Sequence, residues 1–159
     1  MRRVYYSVIV GGFALGALVT FLSSTRARAR EVFALGSDGF ERTSAVNAAL
    51  VRALASDIAA GADPADLEAA CLRAVERERA AFVALPHLAL PWWSTVLFET
   101  EAQRRFRFLA DSELTAVQAA AAAVAELARL PQEEWSPAVE RLRAATEQFV
   151  DAHERMFKT

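Results

Sequence analysis

An uncharged apolar stretch near the N-terminus constrains this chain more than any other feature of its sequence. No charged residue occurs from Val4 to Thr25, a run of 22 positions. As an α-helix this run is about 33 Å long, enough to cross a hydrocarbon core of about 30 Å. Tyr5 and Tyr6 lie near one end, as interfacial aromatic residues often do. The sequence therefore predicts a transmembrane anchor over residues 1–25.

Small residues within this segment predict contact with a second helix in the bilayer. Gly12 and Gly16 have the GxxxG spacing, which lets two helix backbones approach closely in lipid. The second helix belongs either to another membrane protein or to a second copy of this chain.

A cleaved signal peptide is the main alternative to an anchor. Arg2 and Arg3 would form its basic region, and residues 27–29 (Ala-Arg-Ala) superficially resemble a cleavage site. However, the apolar stretch exceeds the usual length of about 7–15 residues, and arginines crowd the supposed site. An uncleaved anchor is the interpretation we favour.

Charge is distributed unevenly along the chain. Residues 1–30 carry five Arg and no acid, whereas residues 31–159 carry 13 basic and 20 acidic side chains. Arg26, Arg28 and Arg30 open a basic juxtamembrane linker, residues 26–38, which we expect to contact anionic lipid headgroups. The acidic body argues against nucleic acid as a partner, since phosphate neutralisation dominates that affinity.

The same charges bear on location and orientation. Residues Gly11 to Arg30 resemble the anchors of small bacterial membrane-anchored stress proteins, but no motif assigns a family. We expect a single-pass protein of the bacterial inner membrane. The count of positive residues slightly favours a cytoplasmic body, whereas the short tail ending in Arg2 and Arg3 favours the reverse.

The remaining residues, 39–159, predict an antiparallel bundle of four or five helices. The chain holds 35 Ala but only 6 Gly and 5 Pro, which favours helix almost throughout. A polar turn is predicted at 36–39, and Val46, Leu50, Leu54 and Ile58 form one apolar stripe after it. Helices are predicted to start at the Asp63-Pro64 and Ser136-Pro137 pairs. Another is predicted from Trp92 or Trp93. Residues 92–130 form either two helices, the second capped by Asp111 or Ser112, or one long helix.

A second uncharged stretch covers residues 80–98 and contains two proline residues together with Trp92 and Trp93. Three interpretations stay open. The segment folds over the end of the bundle and fills its core, or it contacts a partner through the paired Trp, or it enters the headgroup region of a membrane.

Candidate ligand residues are few. His87 and His153 are the two histidines, and either one is a candidate ligand for haem, pigment or metal. Neither has Glu three residues before it, so the Glu-x-x-His pairs of di-iron bundles are absent. Cys71 is the single cysteine, which excludes an intrachain disulfide, and we expect it to be buried and inert. No cofactor is predicted.

Charged runs in the body have an ordinary structural interpretation. We expect the run Glu76 to Arg79 to be solvated, and likewise Glu99, Glu101 and Glu113. In the run 104–108 (Arg-Arg-Phe-Arg-Phe), we expect the Arg side chains to pair with neighbouring acids and the Phe side chains to pack inward.

The sequence contains no Gly-rich phosphate loop, nucleophile elbow or Ser/His/Asp pattern, so an enzyme is not predicted. The predicted function is that of a membrane-anchored, non-catalytic accessory, scaffold or assembly subunit of a membrane protein complex. The alternative is a helical bundle that binds haem, pigment or metal through His87 or His153.

Overall fold

The computed structural model describes residues 2–85 and 99–157, and for residues 2–14 it describes the backbone only. In these residues the protein is all-α, with no strand. The helices are α1 (Arg2–Ala59), α2 (Pro64–Val83), α3 (Glu101–Leu127) and α4 (Ser136–Phe157), and a 3-10 turn, Gln132–Glu134, precedes α4. The all-α prediction is confirmed.

Helix α1 is continuous over 58 residues, which corresponds to a length of about 87 Å. The turn predicted at 36–39 is wrong, because α1 passes straight through these positions. Each Gly in a helix costs only about 1 kcal/mol relative to Ala. Burial of Phe40 and the edge-to-face contact of Phe33 with Phe106 hold this part of α1 against the bundle and offset that cost. The domain boundaries at 25/26 and 38/39 stay predictions.

Local signals fix three of the helix ends. Gly61 has φ +93°, a conformation that favours glycine, and it follows the end of α1. Asp63 caps α2 by accepting a hydrogen bond of 2.9 Å from the Ala65 amide. Thr100 and Gln103 form a reciprocal capping box at the start of α3. The start predicted at Trp92 or Trp93 lies outside the described residues.

Residues 101–127 form one helix, so a cap at Asp111 or Ser112 is wrong. A single helix over the whole range 92–130 is also wrong, because residues 99 and 100 are not helical and the helix begins at Glu101. The fourth helix begins at Ser136 as predicted. Neighbouring helices run antiparallel. Asn47 of α1 contacts Glu78 of α2, Glu68 of α2 pairs with Arg129 just after the end of α3, and Glu126 of α3 pairs with Arg141 of α4.

Three apolar clusters fill the bundle along its length. An end cluster includes Leu54, Ile58, Cys71, Leu127 and Leu142. A middle cluster consists of Ala48, Val51, Ala116, Val117 and Phe149. A phenylalanine cluster at the other end consists of Phe40, Leu85, Leu109, Ala110 and Met156, with Phe106 and Phe157 packed against it.

The predicted stripe on α1 is partly wrong, because Val46 is 57% exposed. A four-residue step turns an α-helix by about 400°, so a series spaced by four drifts about 40° at each step. Leu54 and Ile58 are buried, but extending the series back to Val46 leaves the bundle-facing side. Phe40, Ser44, Asn47 and Val51 occupy that side instead.

Over the side chains that the structure describes, from residue 15 onward and apart from 86–98, no helix is both long and apolar enough to cross a membrane. The anchor predicted at residues 1–25 lies largely outside this range, since the side chains of residues 1–14 are not described. The transmembrane span therefore stays a prediction.

Candidate functional site

Five polar side chains meet inside the bundle, between the middle cluster and the phenylalanine cluster. We call them the polar layer. They are Ser44 and Asn47 from α1, Glu78 from α2, Glu113 from α3 and His153 from α4. The first four are fully buried, and 17% of the His153 side chain is exposed. Every helix of the described bundle contributes to the layer.

One half of the polar layer joins α1, α3 and α4. The Ser44 hydroxyl donates a short hydrogen bond to Oε1 of Glu113. Nδ1 of His153 lies 2.6 Å from Oγ of Ser44 and 3.2 Å from Oε1 of Glu113. When Ser44 uses its proton for Glu113, Nδ1 must carry a hydrogen to bond to either oxygen. The imidazole stacks on Phe149 and meets Phe157 edge to face, which fixes its orientation.

The other half of the polar layer joins α1 to α2 through a single amide. Nδ2 of Asn47 donates to Oε2 of Glu78 over 2.6 Å and to the Ala74 carbonyl over 3.1 Å. Oδ1 of Asn47 accepts from the Arg77 guanidinium over 3.0 Å. The amide therefore stands between the arginine and the carboxylate, so that Arg77 supports Glu78 indirectly.

Both carboxyl groups of the layer have one oxygen without a partner. Oε1 of Glu78 and Oε2 of Glu113 are buried and accept no hydrogen bond in the described structure. A buried ionised carboxylate is costly unless opposite charges and hydrogen bonds compensate it. Within the described residues, His153 is the one basic side chain within salt-bridge distance of either group.

Burial therefore changes the acidity of both groups. It raises the pKa of Glu78 to about 7, against the lowering effects of the Asn47 hydrogen bond and the Arg77 charge. It raises the pKa of Glu113 to about 8. The Ser44 hydrogen bond lowers this pKa, and the charge of Glu78 raises it further. The polar layer thus holds two weak acids that exchange protons near neutral pH.

The predictions for these two residues were wrong. Glu78 and Glu113 were expected to be solvated, yet neither has any exposed surface. The signal that reveals them is their spacing. Glu78 follows buried Ala74 by four positions, and Glu113 lies four positions after Leu109 and four before Val117. Both carboxyl groups therefore occupy the apolar faces of their helices.

His153 lies at the edge of the core as a member of a hydrogen-bonded network. Its role as a cofactor ligand stays a prediction, and His87, the other candidate, lies outside the described residues. No group of three or more His, Cys, Asp or Glu side chains in the described part of the chain is arranged to hold a metal ion.

The predicted membrane and partner residues are distributed along α1 and the segment before α3. Trp92 and Trp93 lie outside the described residues, and Gly12 is described by its backbone only. Gly16 has open space where a Cβ atom would be. Arg26, Arg28 and Arg30 are exposed on α1.

The remaining candidates behave largely as the sequence predicts. Arg104 and Arg107 pair with Glu99 at 3.9 and 3.1 Å. Phe106 packs inward, but Phe108 is 72% exposed, so the prediction for this side chain was wrong. Cys71 is buried, and burial, with a smaller contribution from the charge of Glu68, raises the pKa of its thiol to about 11. A thiol with so high a pKa is a poor nucleophile at neutral pH.

Comparison with known proteins leaves this geometry to be interpreted from its own residues. No protein-family model matches the chain, and neither a curated protein nor a solved structure resembles it at a significant level.

Proposed function

We propose that this protein is a single-pass membrane protein of the bacterial inner membrane that acts as a non-catalytic accessory, scaffold or assembly subunit of a membrane protein complex. The observation that carries the proposal is the N-terminal part of α1. It combines an uncharged apolar sequence with side chains that are exposed from residue 15 onward, and it is continuous with the helix that enters the bundle.

The exposed side chains of this segment are unusually apolar. Leu15, Leu18, Val19 and Phe21 each expose between 52% and 65% of their surface. A contiguous apolar surface of this kind marks contact with a membrane or with another protein. Because the uncharged run from Val4 to Thr25 also has the length of a bilayer core, we assign the surface to lipid.

The residues that follow the apolar run support the same arrangement. Arg26, Arg28 and Arg30 are exposed, and each basic residue near an anionic leaflet contributes about 1 kcal/mol to binding. In our proposal these arginines contact lipid headgroups and the acidic bundle lies beyond them. The count of positive residues favours a cytoplasmic bundle.

A continuous helix from the anchor into the bundle suits a scaffold. A helix without a flexible joint holds the bundle at a fixed height above the bilayer, so that a partner meets it in one position. Partner contact is proposed for two places, the Gly12 and Gly16 face in the membrane and the segment that contains Trp92 and Trp93. Paired Trp side chains are strong interface anchors.

The test is purification of the tagged full chain from its native membrane in mild detergent, followed by identification of stoichiometric partners and cross-link mapping. We expect a stable complex with cross-links at Trp92 and Trp93. Gly16→Ile should weaken that complex, whereas Leu18→Ile, a change on the opposite side of the helix, should leave it intact.

A chain that migrates alone and cross-links neither to a partner nor to itself would contradict the accessory role. The absorbance spectrum and the metal content of the same preparation test the alternative. A coloured or metal-loaded protein would favour the cofactor-binding bundle predicted through His87 or His153.

A further inference from the structure

We propose that the polar layer is a proton-binding site that controls the packing of the bundle. With protons bound at Glu78 and Glu113 the four helices close around the layer, and loss of those protons loosens α2 and α3 at this level. The inference concerns the bundle alone and does not depend on the membrane anchor.

The first argument is the position of the two carboxyl groups. They come from α2 and α3, they have no exposed surface, and each leaves one oxygen without a hydrogen bond. When the carboxyl group ionises, no hydrogen bond to this oxygen stabilises the negative charge. Two such charges in one core repel each other, and low local polarity strengthens that repulsion.

The second argument is the set of groups that faces the layer from each helix. Helix α1 contributes Ser44 and Asn47, which carry no charge. Helix α2 contributes Arg77, whose guanidinium binds the Asn47 amide rather than a carboxylate. Helix α4 contributes His153, which compensates Glu113 only while the imidazole is protonated.

These groups cannot neutralise two ionised carboxylates as pH rises. Arg77 binds the Asn47 amide and not Glu78 itself. A rise in pH, which ionises the carboxyl groups, also favours the uncharged form of His153. Protons bound to Glu78 and Glu113 are then what keeps the layer neutral. His153 is the one member of the layer with exposed surface and it contacts Glu113, so it is the point at which protons reach Glu113 from solvent.

The direction of the pH dependence follows from linkage. Both carboxyl groups have a pKa above the ordinary value of 4.5, because burial disfavours their charged forms. The folded chain therefore binds more protons than the unfolded chain between pH 4.5 and about 8. The free energy of unfolding falls as pH rises through this window.

The test measures urea unfolding of the full-length protein in detergent and EDTA from pH 5 to 9. The variants are Glu113→Gln and Glu78→Gln, in which an amide replaces the protonated carboxyl. Glu76→Gln is the control, because Glu76 is exposed on the same helix as Glu78. We expect the unfolding equilibrium constant of the wild type to rise roughly a hundredfold or more between pH 5 and 8. The rise should be at least about tenfold smaller in Glu113→Gln, and Glu76→Gln should match the wild type.

Two further measurements separate a proton-controlled packing change from a general effect on stability. Hydrogen exchange, corrected for its intrinsic pH dependence, should show the α2 and α3 amides beside the layer opening faster at pH 8.5 than at pH 6. This acceleration should be absent in Glu113→Gln. Infrared spectra at pH 6 should show a buried protonated carboxyl band that loses intensity in Glu113→Gln and in Glu78→Gln. Because the wild type alone reports this band and its titration, the test survives a variant that fails to fold.

Two results would overturn the proposal. The first is an equal pH dependence in the wild type, in Glu113→Gln and in Glu78→Gln, with no carboxyl band at pH 6. The second is a gain in stability at pH 8 when Mn²⁺ or Zn²⁺ replaces EDTA, if Glu113→Gln abolishes that gain. The layer would then be a cation site rather than a proton site.

Discussion

Helix α1 passes through two environments, and its two parts invert the usual relation between polarity and burial. In the N-terminal part, Leu15, Leu18 and Val19 are apolar side chains with more than half of their surface exposed. In the part that enters the bundle, Ser44 and Asn47 are polar side chains with no exposed surface. One uninterrupted helix therefore contains both exposed apolar side chains and buried polar ones.

The difference shows that the partner of each part determines which side chains it can accept. The bundle part has three neighbouring helices, and these supply hydrogen-bond partners to Ser44 and Asn47. A buried polar group is stable when its hydrogen bonds are satisfied. The N-terminal part has apolar side chains that gain free energy only when something outside the described structure covers them. In our proposal that cover is lipid.

The largest expected effect contrasts a core residue with an exposed one. Phe149 is fully buried in the middle cluster and stacks on His153. Phe149→Ala should lower the free energy of unfolding by about 3–5 kcal/mol, because it leaves a large cavity. Leu18→Ala should change it by less than about 0.5 kcal/mol, because Leu18 does not pack in the bundle. Urea unfolding followed by circular dichroism measures both, and a comparable loss in the two variants would remove the distinction between the parts of α1.

A smaller effect is expected from the amide that joins α1 to α2. Asn47→Ala removes the hydrogen bond to Glu78 and the one accepted from Arg77, so it should cost about 2 kcal/mol. It should also raise the pKa of Glu78 further, since the Asn47 bond lowers it. The matched control is Ser56→Ala, which removes an exposed hydroxyl from the same helix. If Asn47→Ala were as mild as this control, the buried network would contribute little to the bundle.

The smallest expected effects test the continuity of α1 at two glycines. Gly39 lies within the helix and has open space for a Cβ atom, so Gly39→Ala should stabilise the protein by up to about 1 kcal/mol. Gly61 has φ +93°, so Gly61→Ala should destabilise it by about 1 kcal/mol. Thermal unfolding should therefore show a higher melting temperature for Gly39→Ala and a lower one for Gly61→Ala. A loss of stability in Gly39→Ala would indicate a break of the helix at residues 36–39.

Much of the fold is predictable because it depends on local chemistry. Asp63 with Pro64 marks a helix start in any context, and the abundance of alanine favours helices throughout. The turn at 36–39 was mispredicted because glycine propensity is weak compared with the tertiary packing of Phe33 and Phe40. The number of helices between residues 92 and 130 could not be predicted, because no Gly or Pro there marks where a helix ends.

The polar layer was not predictable from residue type. A glutamate on an alanine-rich helix is usually solvated, and that expectation holds for Glu76, which is exposed. Glu78 and Glu113 differ only in lying on the inward faces, and these faces become clear once the register of four helices is known. His153 follows Phe149 by four positions, so its place on an apolar helix face is readable from the sequence. Its partners Ser44 and Glu113, however, are 109 and 40 positions away in sequence.

The central claim, that the N-terminal part of α1 is held in a membrane, is tested most directly by extraction of isolated membranes with high salt and then with alkaline carbonate. The full chain should remain in the membrane pellet. The double variant Leu15→Arg, Val19→Arg should move to the supernatant, because two charges in the apolar run oppose insertion. Leu72→Arg, a change at a similarly exposed position of α2, should not alter the distribution. Release of the unmodified chain into the supernatant would contradict the account.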